Sequence, residues 1–193
     1  MIKQQRIGRR WCILPPQTGV PEGSIPLFMV PGAFGSGEHE TTASCLELLE
    51  TLGNLKGVRV LDFGSGTGIL AVSALRLGAS EALCVDIEPK AIETCRKNAA
   101  LNGLADRIRH HCGYLGETPA CSYDLILANI YGDILLDQAE ELIERCAPGA
   151  RLLLSGILYE YNYDVRARFE RLGCEVLRNR MLEDYSTVLL RKG

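Results

Sequence analysis

The sequence lacks the cysteine patterns that mark zinc modules and small disulfide-rich domains. Its 193 residues include 8 cysteines, but these are scattered singly and no CxxC pair occurs. This scatter argues against a structural zinc site, and the apolar or helical surroundings of several cysteines favour free thiols over a disulfide framework. We therefore expect a reducing compartment, the cytoplasm, and no bound metal.

Long hydrophobic runs are missing as well. Arg76, Glu81 and Asp86 interrupt the most apolar region before it reaches the length of a membrane span. The basic amino-terminal stretch has no long apolar segment followed by a cleavage site, so we do not interpret it as a signal peptide. The net charge of -3 does not indicate a strongly basic nucleic-acid platform. We expect no membrane association and no direct nucleic-acid binding.

Strand and helix patterns alternate from residue 57 onward. The apolar strand segments are near-continuous, which is typical of parallel strands covered on both faces. The last twenty or so residues resemble a hairpin, which would add an antiparallel edge. The pattern predicts an α/β, doubly wound fold that is mostly parallel and has an antiparallel carboxyl-terminal strand. The predicted strands are 57–63, 81–87, 108–115, 123–130, 150–158 and a pair within 174–193; the predicted helices are 41–52, 68–78, 88–103, 133–149 and 159–173.

A glycine cluster follows the first of these strands. The loop DFGSGTG spans Asp62 to Gly68, and no lysine follows it as a Walker phosphate loop would require. A dinucleotide fingerprint has its third glycine one position later, where Ile69 stands. The glycines therefore disfavour both phosphate-binding loops. A structural turn without a ligand also remains open, since glycines serve any tight strand-to-helix turn.

Two aspartates add discrimination between ligands. Asp62 is expected at the mouth of the ligand crevice, where a carboxylate would repel a pyrophosphate and attract a cation. Asp86 ends the second strand and is placed to accept both hydroxyls of a ribose. It could instead cap the helix that begins at Pro89. A cationic ligand with a ribose and no phosphate fits both acids, and S-adenosylmethionine has these properties.

Longer motifs carry a family resemblance. VLDFGSGTGILAVSALRLGA followed by VDIEPKAIETCRKNAALNG resembles the core of class I S-adenosylmethionine-dependent methyltransferases. PGAFGSGEHETTASCLELLE, LANIYGDIL and LLLSGIL resemble motifs of the ribosomal protein L11 methyltransferase family. The resemblance implies a seven-strand Rossmann-like sheet, S-adenosylmethionine as cofactor, and N-methylation of lysine or N-terminal amino groups of a protein. It divides the chain into a lead-in with a cofactor-covering loop, 1–40, and a catalytic domain, 41–193.

The resemblance also assigns candidate residues. Asn129 would accept a hydrogen bond from the target amine and aim its lone pair, although it could be only a turn residue. Tyr131 would line the acceptor channel. His39 could be a base, a ligand-orienting group or a packing residue. Thr41 and Thr42 would contact the cofactor, although the alternative is that one of them merely caps the following helix. The expected cofactor-binding residues are Phe34, Gly35, Thr41, Thr42, Asp62, Gly64, Ser65, Gly66, Gly68, Asp86, Ile87, Gly113, Tyr114 and Asn129.

Other functions stay open at this point. Members of the resembled family carry a separate substrate-recognition domain before the segment equivalent to GRRWCILPP, and this sequence begins almost at that segment. We therefore expect either a truncated family member or an enzyme for another protein substrate. The rival interpretations are a small-molecule methyltransferase, a non-catalytic cofactor-binding protein and, more weakly, a nicotinamide oxidoreductase.

Overall fold

A small three-stranded sheet opens the chain. The computed structural model describes residues 2–32, 34, 37 and 39–193. Strands β1 (Gln5–Ile7) and β2 (Trp11–Leu14) pair antiparallel, and β3 (Ile25–Phe28) pairs parallel with β2. The indole nitrogen of Trp11, which is buried, donates to the carbonyl of Leu46 at 2.8 Å. The lead-in is thus packed on the main body.

The main body is built on a seven-stranded sheet, which confirms the predicted fold. Its strand order is β6-β5-β4-β7-β8-β10-β9, and the first five strands are parallel. Strand β10 pairs antiparallel with both β8 and β9. The strands are β4 (Arg59–Phe63), β5 (Glu81–Asp86), β6 (Ile108–Cys112), β7 (Tyr123–Asn129), β8 (Cys146–Leu158), β9 (Cys174–Met181) and β10 (Tyr185–Lys192).

Helices cover both faces of this sheet. One face is packed by α1 (Glu40–Thr51), α2 (Ile69–Arg76), α3 (Pro89–Leu101) and the lead-in. The other face is packed by α4 (Gly132–Asp137), α5 (Ala139–Glu144) and α6 (Asn162–Arg171). Neighbouring strand residues face opposite sides, so Val60 joins the first core and Leu61 the second. Within the described part of the chain, no helix has the length and hydropathy needed to cross a membrane.

One predicted helix was wrong in its extent. The segment 133–149 forms two short helices that join at Gln138, and helical structure ends at Glu144. Residues from Cys146 onward belong to β8, where Cys146 pairs with Tyr123. The cause is local, because the residue before Pro148 is biased towards extended backbone and the helix must end earlier.

The order of the strands reverses next to β4. Strand β5 follows β4 on one side and β7 lies on the other, so the connections leave the sheet in opposite directions. Such a switch point leaves a crevice beyond the carboxyl ends of the strands, where ligands bind in open α/β sheets. The ends of β4, β5, β6 and β7 are the segments on which the candidate residues fall.

Candidate active site

Asp86 joins three segments at the rim of the sheet. Its Oδ2 accepts a hydrogen bond from the backbone N–H of Gly66 at 2.8 Å, and its Oδ1 accepts one from Glu88 at 3.0 Å. Its own carbonyl accepts from the N–H of Gly113 at 3.0 Å. The half-buried carboxylate therefore supports both the glycine loop and the approach to α3. Each oxygen keeps further acceptor capacity for a ligand.

Packing within the protein explains why these positions of the loop are glycines. A side chain at Gly64 would collide with Ile130, and one at Gly66 would collide with the carbonyl of Phe34. All three glycines also have a left-handed backbone, with φ of 70° at Gly64, 53° at Gly66 and 76° at Gly68. The loop thus follows a path that only glycine tolerates. The glycine spacing by itself accordingly says little about the ligand.

Phe34 lies over the glycine loop. Its carbonyl accepts from the N–H of Thr67 at 3.0 Å, and its side chain is 56% exposed. Its ring centroid is 5.3 Å from that of His39, which is in turn 5.1 Å from the ring of Tyr185. The candidate Gly35 lies outside the described residues.

His39, rather than a threonine, is the N-cap of α1. Its Nδ1 accepts from the N–H of Thr41 at 3.3 Å and lies 2.8 Å from the hydroxyl of Thr41. The prediction that a threonine caps this helix was wrong by two residues, because the helix begins at Glu40. With this nitrogen engaged by Thr41, the imidazole mainly shapes the loop.

Asn129 presents an unsatisfied oxygen at the end of β7. Its Nδ2 donates to the hydroxyl of the buried Thr42 at 3.3 Å. Its Oδ1 is buried and accepts no hydrogen bond from any residue that the structure describes. The following peptide is held by a bond from Ile130 N–H to the carbonyl of Ser155 at 3.0 Å. Because buried polar atoms are rarely left unpaired, this oxygen indicates a place for a donor.

Two apolar side chains flank Asp86 on neighbouring strand ends. Ile87 is 61% exposed beyond β5, and Tyr114 is 70% exposed beyond β6. Glu117, which the sequence reasoning missed, accepts from the N–H of Tyr114 at 2.9 Å and from the ring of His111 at 3.2 Å. These contacts, the first above all, lower the pKa of Glu117. Glu117 therefore fixes the loop that carries Tyr114.

Asp62 does not lie at the mouth of the crevice. Its side chain is 1% exposed and its Oδ2 accepts from the N–H of Ala71 at 3.0 Å, in the first turn of α2. Burial, and then the neighbouring Cys95, raise its pKa well above the usual value. The expectation of an exposed carboxylate that repels pyrophosphate was wrong, because Asp62 points into the face covered by α2.

The remaining candidates divide between the two sides of the loop. Ser65 is turned inward, since its hydroxyl is buried beside the thiols of Cys84 and Cys95. Tyr131 is 62% exposed at the start of α4, beyond the end of β7. The structure thus brings most of the predicted residues to one rim, and it separates Asp62 and Ser65 from them.

Sequence comparison adds the deciding observation to this geometry. The family model described as ribosomal protein L11 methyltransferase (PrmA) matches residues 2–193. The chain belongs to that family. The resemblance predicted from the motifs is confirmed.

Individual family members and more distant structures agree with this. A ribosomal protein L11 methyltransferase from Pelobacter propionicus is 42% identical over 198 residues, which cover 99% of this chain but only 64% of the relative. The crystal structure of a ribosomal protein L11 methylase from Lactobacillus delbrueckii subsp. bulgaricus superposes with a TM-score of 0.87 at 27% identity, covering 98% and 99% of the two chains. An RNA methyltransferase from Salinibacter ruber in complex with S-adenosyl-L-homocysteine shares the fold, with a TM-score of 0.61 at 19% identity over 77% of this chain and 90% of the other.

In this member of the L11 methyltransferase family, two asparagines hold the lead-in: Asn98 of α3, which also binds the glycine loop, and Asn102, the C-cap residue of that helix. Buried Asn98 donates to the carbonyl of Thr67 at 2.9 Å and accepts from the N–H of Val30 at 2.8 Å. Asn102 binds both the N–H and the carbonyl of Phe28, at 3.1 and 2.7 Å. The sequence reasoning missed both residues, although their spacing of four places them on one face of the helix.

A second polar group lies beneath the loop of this family member. Ligand atoms of Cys84, Cys95 and His110 all lie within 4.8 Å of one another. The hydrogen bond from Cys84 is the main reason that the pKa of Cys95 falls to about 6, and the same pair raises the pKa of Cys84. His111 instead contacts Glu117, as expected for consecutive histidines on opposite faces of a strand.

Proposed function

We propose that this chain is the catalytic region of an S-adenosylmethionine-dependent methyltransferase that N-methylates lysine or N-terminal amino groups of a protein, with ribosomal protein L11 as the favoured target. The family and the names of its members support this assignment. The chain spans 64% of the length of the Pelobacter relative, so the activity of the whole protein is part of the proposal. In it, 41–193 form the catalytic domain and 1–40 the lead-in that covers the cofactor.

The residues at the rim fit an adenosine cofactor. Asp86 offers carboxylate oxygens for the ribose hydroxyls, and its bond to Gly66 already sets its orientation. Ile87 and Tyr114 offer exposed apolar surface for the adenine on either side of it. Phe34 would cover the ligand from the lead-in. When bound, the cofactor supplies a methyl group on a sulfonium, which is already a good leaving group.

The single observation that carries the proposal is the amide oxygen of Asn129, which has no hydrogen-bond partner among the described residues. Thr42 holds the amide nitrogen, so Oδ1 is directed by the fold itself. An amine N–H donated to this oxygen would be fixed in direction, and the nitrogen lone pair would be aimed away from it. The site has to hold the acceptor amine in its unprotonated form, and desolvation next to the buried Oδ1 of Asn129 would lower the pKa of a lysine.

The other candidates take supporting roles in this proposal. His39 holds the start of α1 and packs between Phe34 and Tyr185, so we assign it no proton transfer. Tyr131, exposed beyond β7, would line the entry for the acceptor. No side chain acts as a covalent nucleophile. The eight free cysteines support a cytoplasmic location, and the net charge of -3 supports a protein rather than a nucleic acid as substrate.

Two measurements test the proposal. Calorimetric titration should show binding of S-adenosylhomocysteine and none of NAD; absence of S-adenosylhomocysteine binding would overturn it. The chain is then incubated with methyl-labelled S-adenosylmethionine and purified L11, total ribosomal proteins, ribosomal RNA or a small-molecule extract. Label in L11 or another ribosomal protein supports protein methylation. Label confined to RNA or to small molecules contradicts it.

A further inference from the structure

We propose that Cys84, Cys95 and His110 form a site for one thiophilic divalent cation of the Zn²⁺ type beneath the glycine loop. The site lies on three different elements: β5, α3 and β6. The scatter of the cysteines along the sequence conceals it, since only the fold brings these residues together. The inference is independent of the proposed function, because Cys84, Cys95 and His110 are assigned neither to the cofactor nor to the acceptor amine.

The backbone places the donor atoms at coordination distance. Cys84 and His110 are direct register partners in the parallel pair β5–β6, so their side chains stand on the same face of the sheet. Cys95 comes down on them from α3, and the three ligand atoms lie within 4.8 Å of one another. Zn–S bonds of about 2.3 Å in a tetrahedron require sulfurs roughly 3.8 Å apart. The upper limit of 4.8 Å between the three ligand atoms is compatible with one ion shared by them.

The polar atoms beside the cluster have weak partners. The Nδ1 of His110 and the hydroxyl oxygen of Ser65 are buried, and within the described residues they have no hydrogen-bond partner other than the thiols of the cluster. A thiol is a weak hydrogen-bonding group, so a cation held by the same sulfurs would give these atoms a stronger partner. Ser65 stands beside both thiols and is available as a fourth ligand.

The charge balance also favours a divalent cation. Both cysteines are fully buried, where an isolated thiolate would be strongly disfavoured. Two thiolates, one neutral imidazole and one dication sum to zero, so the complete site carries no net charge in the interior. Two thiolates and an imidazole form a ligand set typical of Zn²⁺.

The position gives the ion a structural consequence. Gly68 approaches Cys95 so closely that a side chain at Gly68 would collide with its sulfur. A cation held by Cys95 would therefore fasten the end of the glycine loop to β5, β6 and α3. Metal binding should stabilise the folded chain, since ligands that bind only the folded state raise its melting temperature.

The test uses the full chain carrying Cys112→Ser, Cys121→Ser and Cys146→Ser, which removes the three cysteines that are not buried. After chelator dialysis it is titrated with Co²⁺, whose thiolate bonds give charge-transfer absorption in the near ultraviolet, and then with Zn²⁺ in competition. We expect one equivalent of Co²⁺, displacement by Zn²⁺, and a higher melting temperature with Zn²⁺. No stoichiometric absorption would overturn the proposal.

Variants assign the ligands. Cys84→Ser and Cys95→Ser should each reduce the charge-transfer absorption, while His110→Gln should weaken Zn²⁺ at least about 10- to 100-fold, the loss typical even of outer-shell partners. Cys174→Ser, a buried cysteine elsewhere, is the matched control and should titrate as the parent does. If a serine variant does not fold, His110→Gln decides the question. Unchanged Zn²⁺ binding in the His110→Gln variant would overturn the proposal. A Cys84–Cys95 disulfide in the chain freshly purified under reducing conditions would overturn it as well.

Discussion

The glycine loop separates two polar regions of opposite character. Above it, the rim formed by Asp86, Asn129 and Phe34 is half-open, and its side chains are fixed by bonds to backbone or to a neighbouring hydroxyl. Below it, the layer that contains Asp62 is buried. Asp62 and Asp86 belong to consecutive parallel strands, yet one braces a helix and the other faces the crevice. Burial, and not residue type, separates the supporting groups from the ligand-binding ones.

The largest effect should come from the rim, at Asn129. Asn129→Ala removes the oxygen that would orient the amine, and we expect kcat to fall about 100-fold because misplacement of the nucleophile is that costly. Thr42→Val should give a smaller loss of the same kind, since it frees the amide nitrogen. Single-turnover methyl transfer and titration with S-adenosylhomocysteine separate the two steps. A loss of cofactor affinity without a loss in transfer rate would contradict the assignment.

Asp86 should give the next largest effect, in binding. Asp86→Asn removes a charged hydrogen-bond acceptor. Because hydrogen bonds to charged groups contribute about 1.5–3 kcal/mol, we expect S-adenosylhomocysteine to bind roughly 10- to 100-fold more weakly. Asp124→Asn is the matched control, because Asp124 also accepts a backbone N–H, that of Arg59 at 2.8 Å, at the opposite end of the sheet. Both affinities for S-adenosylhomocysteine are measured by calorimetry. Equal weakening in Asp86→Asn and Asp124→Asn would contradict the role of Asp86 in cofactor binding.

Asn98 joins the two regions, so its removal should lower stability rather than chemistry alone. Asn98→Ala removes the hydrogen bonds of this buried side chain to the carbonyl of Thr67 and the N–H of Val30. The free energy of unfolding should fall by about 1–3 kcal/mol, since two hydrogen bonds of roughly 0.5–1.5 kcal/mol each are lost. Urea denaturation measures the change. Asn179→Ala, which removes a half-buried bond to Asn162 on the far edge, should be milder. Equal losses would show that the α3 link has no special role.

The smallest and most specific effect concerns pH and the buried layer. The pKa of Asp62 is raised by burial, so the folded state holds its proton at higher pH than the unfolded chain does. The free energy of unfolding therefore falls as pH rises from the usual pKa, near 3.8, through the raised folded value. Asp62→Asn lacks this dependence but keeps an acceptor for Ala71. Its stability relative to the parent should thus increase with pH and then level off. The free energies of unfolding of the parent and of Asp62→Asn are measured by denaturation at several pH values. If the two change in parallel with pH, the buried position of Asp62 is refuted.

Much of the site could be predicted because it depends on local sequence. The apolar runs indicate where parallel strands end, so Asp86, Gly113 and Asn129 were placed correctly at or directly after the carboxyl ends of β5, β6 and β7. The helix cap was misplaced because Thr41 and Thr42 are better caps than histidine by propensity, while the loop actually enters α1 at His39. Packing of the His39 ring against Phe34 and Tyr185 holds His39 at the N-cap position, and sequence propensity does not show this packing.

The buried layer could not be predicted for a different reason. Hydrophobic periodicity shows which residues face a helix-covered side, but it does not show how deep a polar residue lies. Asp62 stands within an apolar strand and was assigned to the opening because it comes two residues before the first glycine of the loop. Cys84 and His110 are 26 positions apart and become neighbours only through the register of β5 and β6. Sequence spacing carries no information on such a pair.

The order of strands at the far edge has a consequence for how the chain folds. Strand β9 touches the rest of the sheet only through β10, although β10 comes later in the sequence. Until β10 has formed, β9 lacks the strand with which it pairs, and the edge of β8 can pair with other strands. The β9–β10 hairpin, closed by the short turn at 182–184, should therefore form first and dock as one unit. A sequence change that delays this hairpin would leave an unpaired edge exposed, which is a recognised route to aggregation.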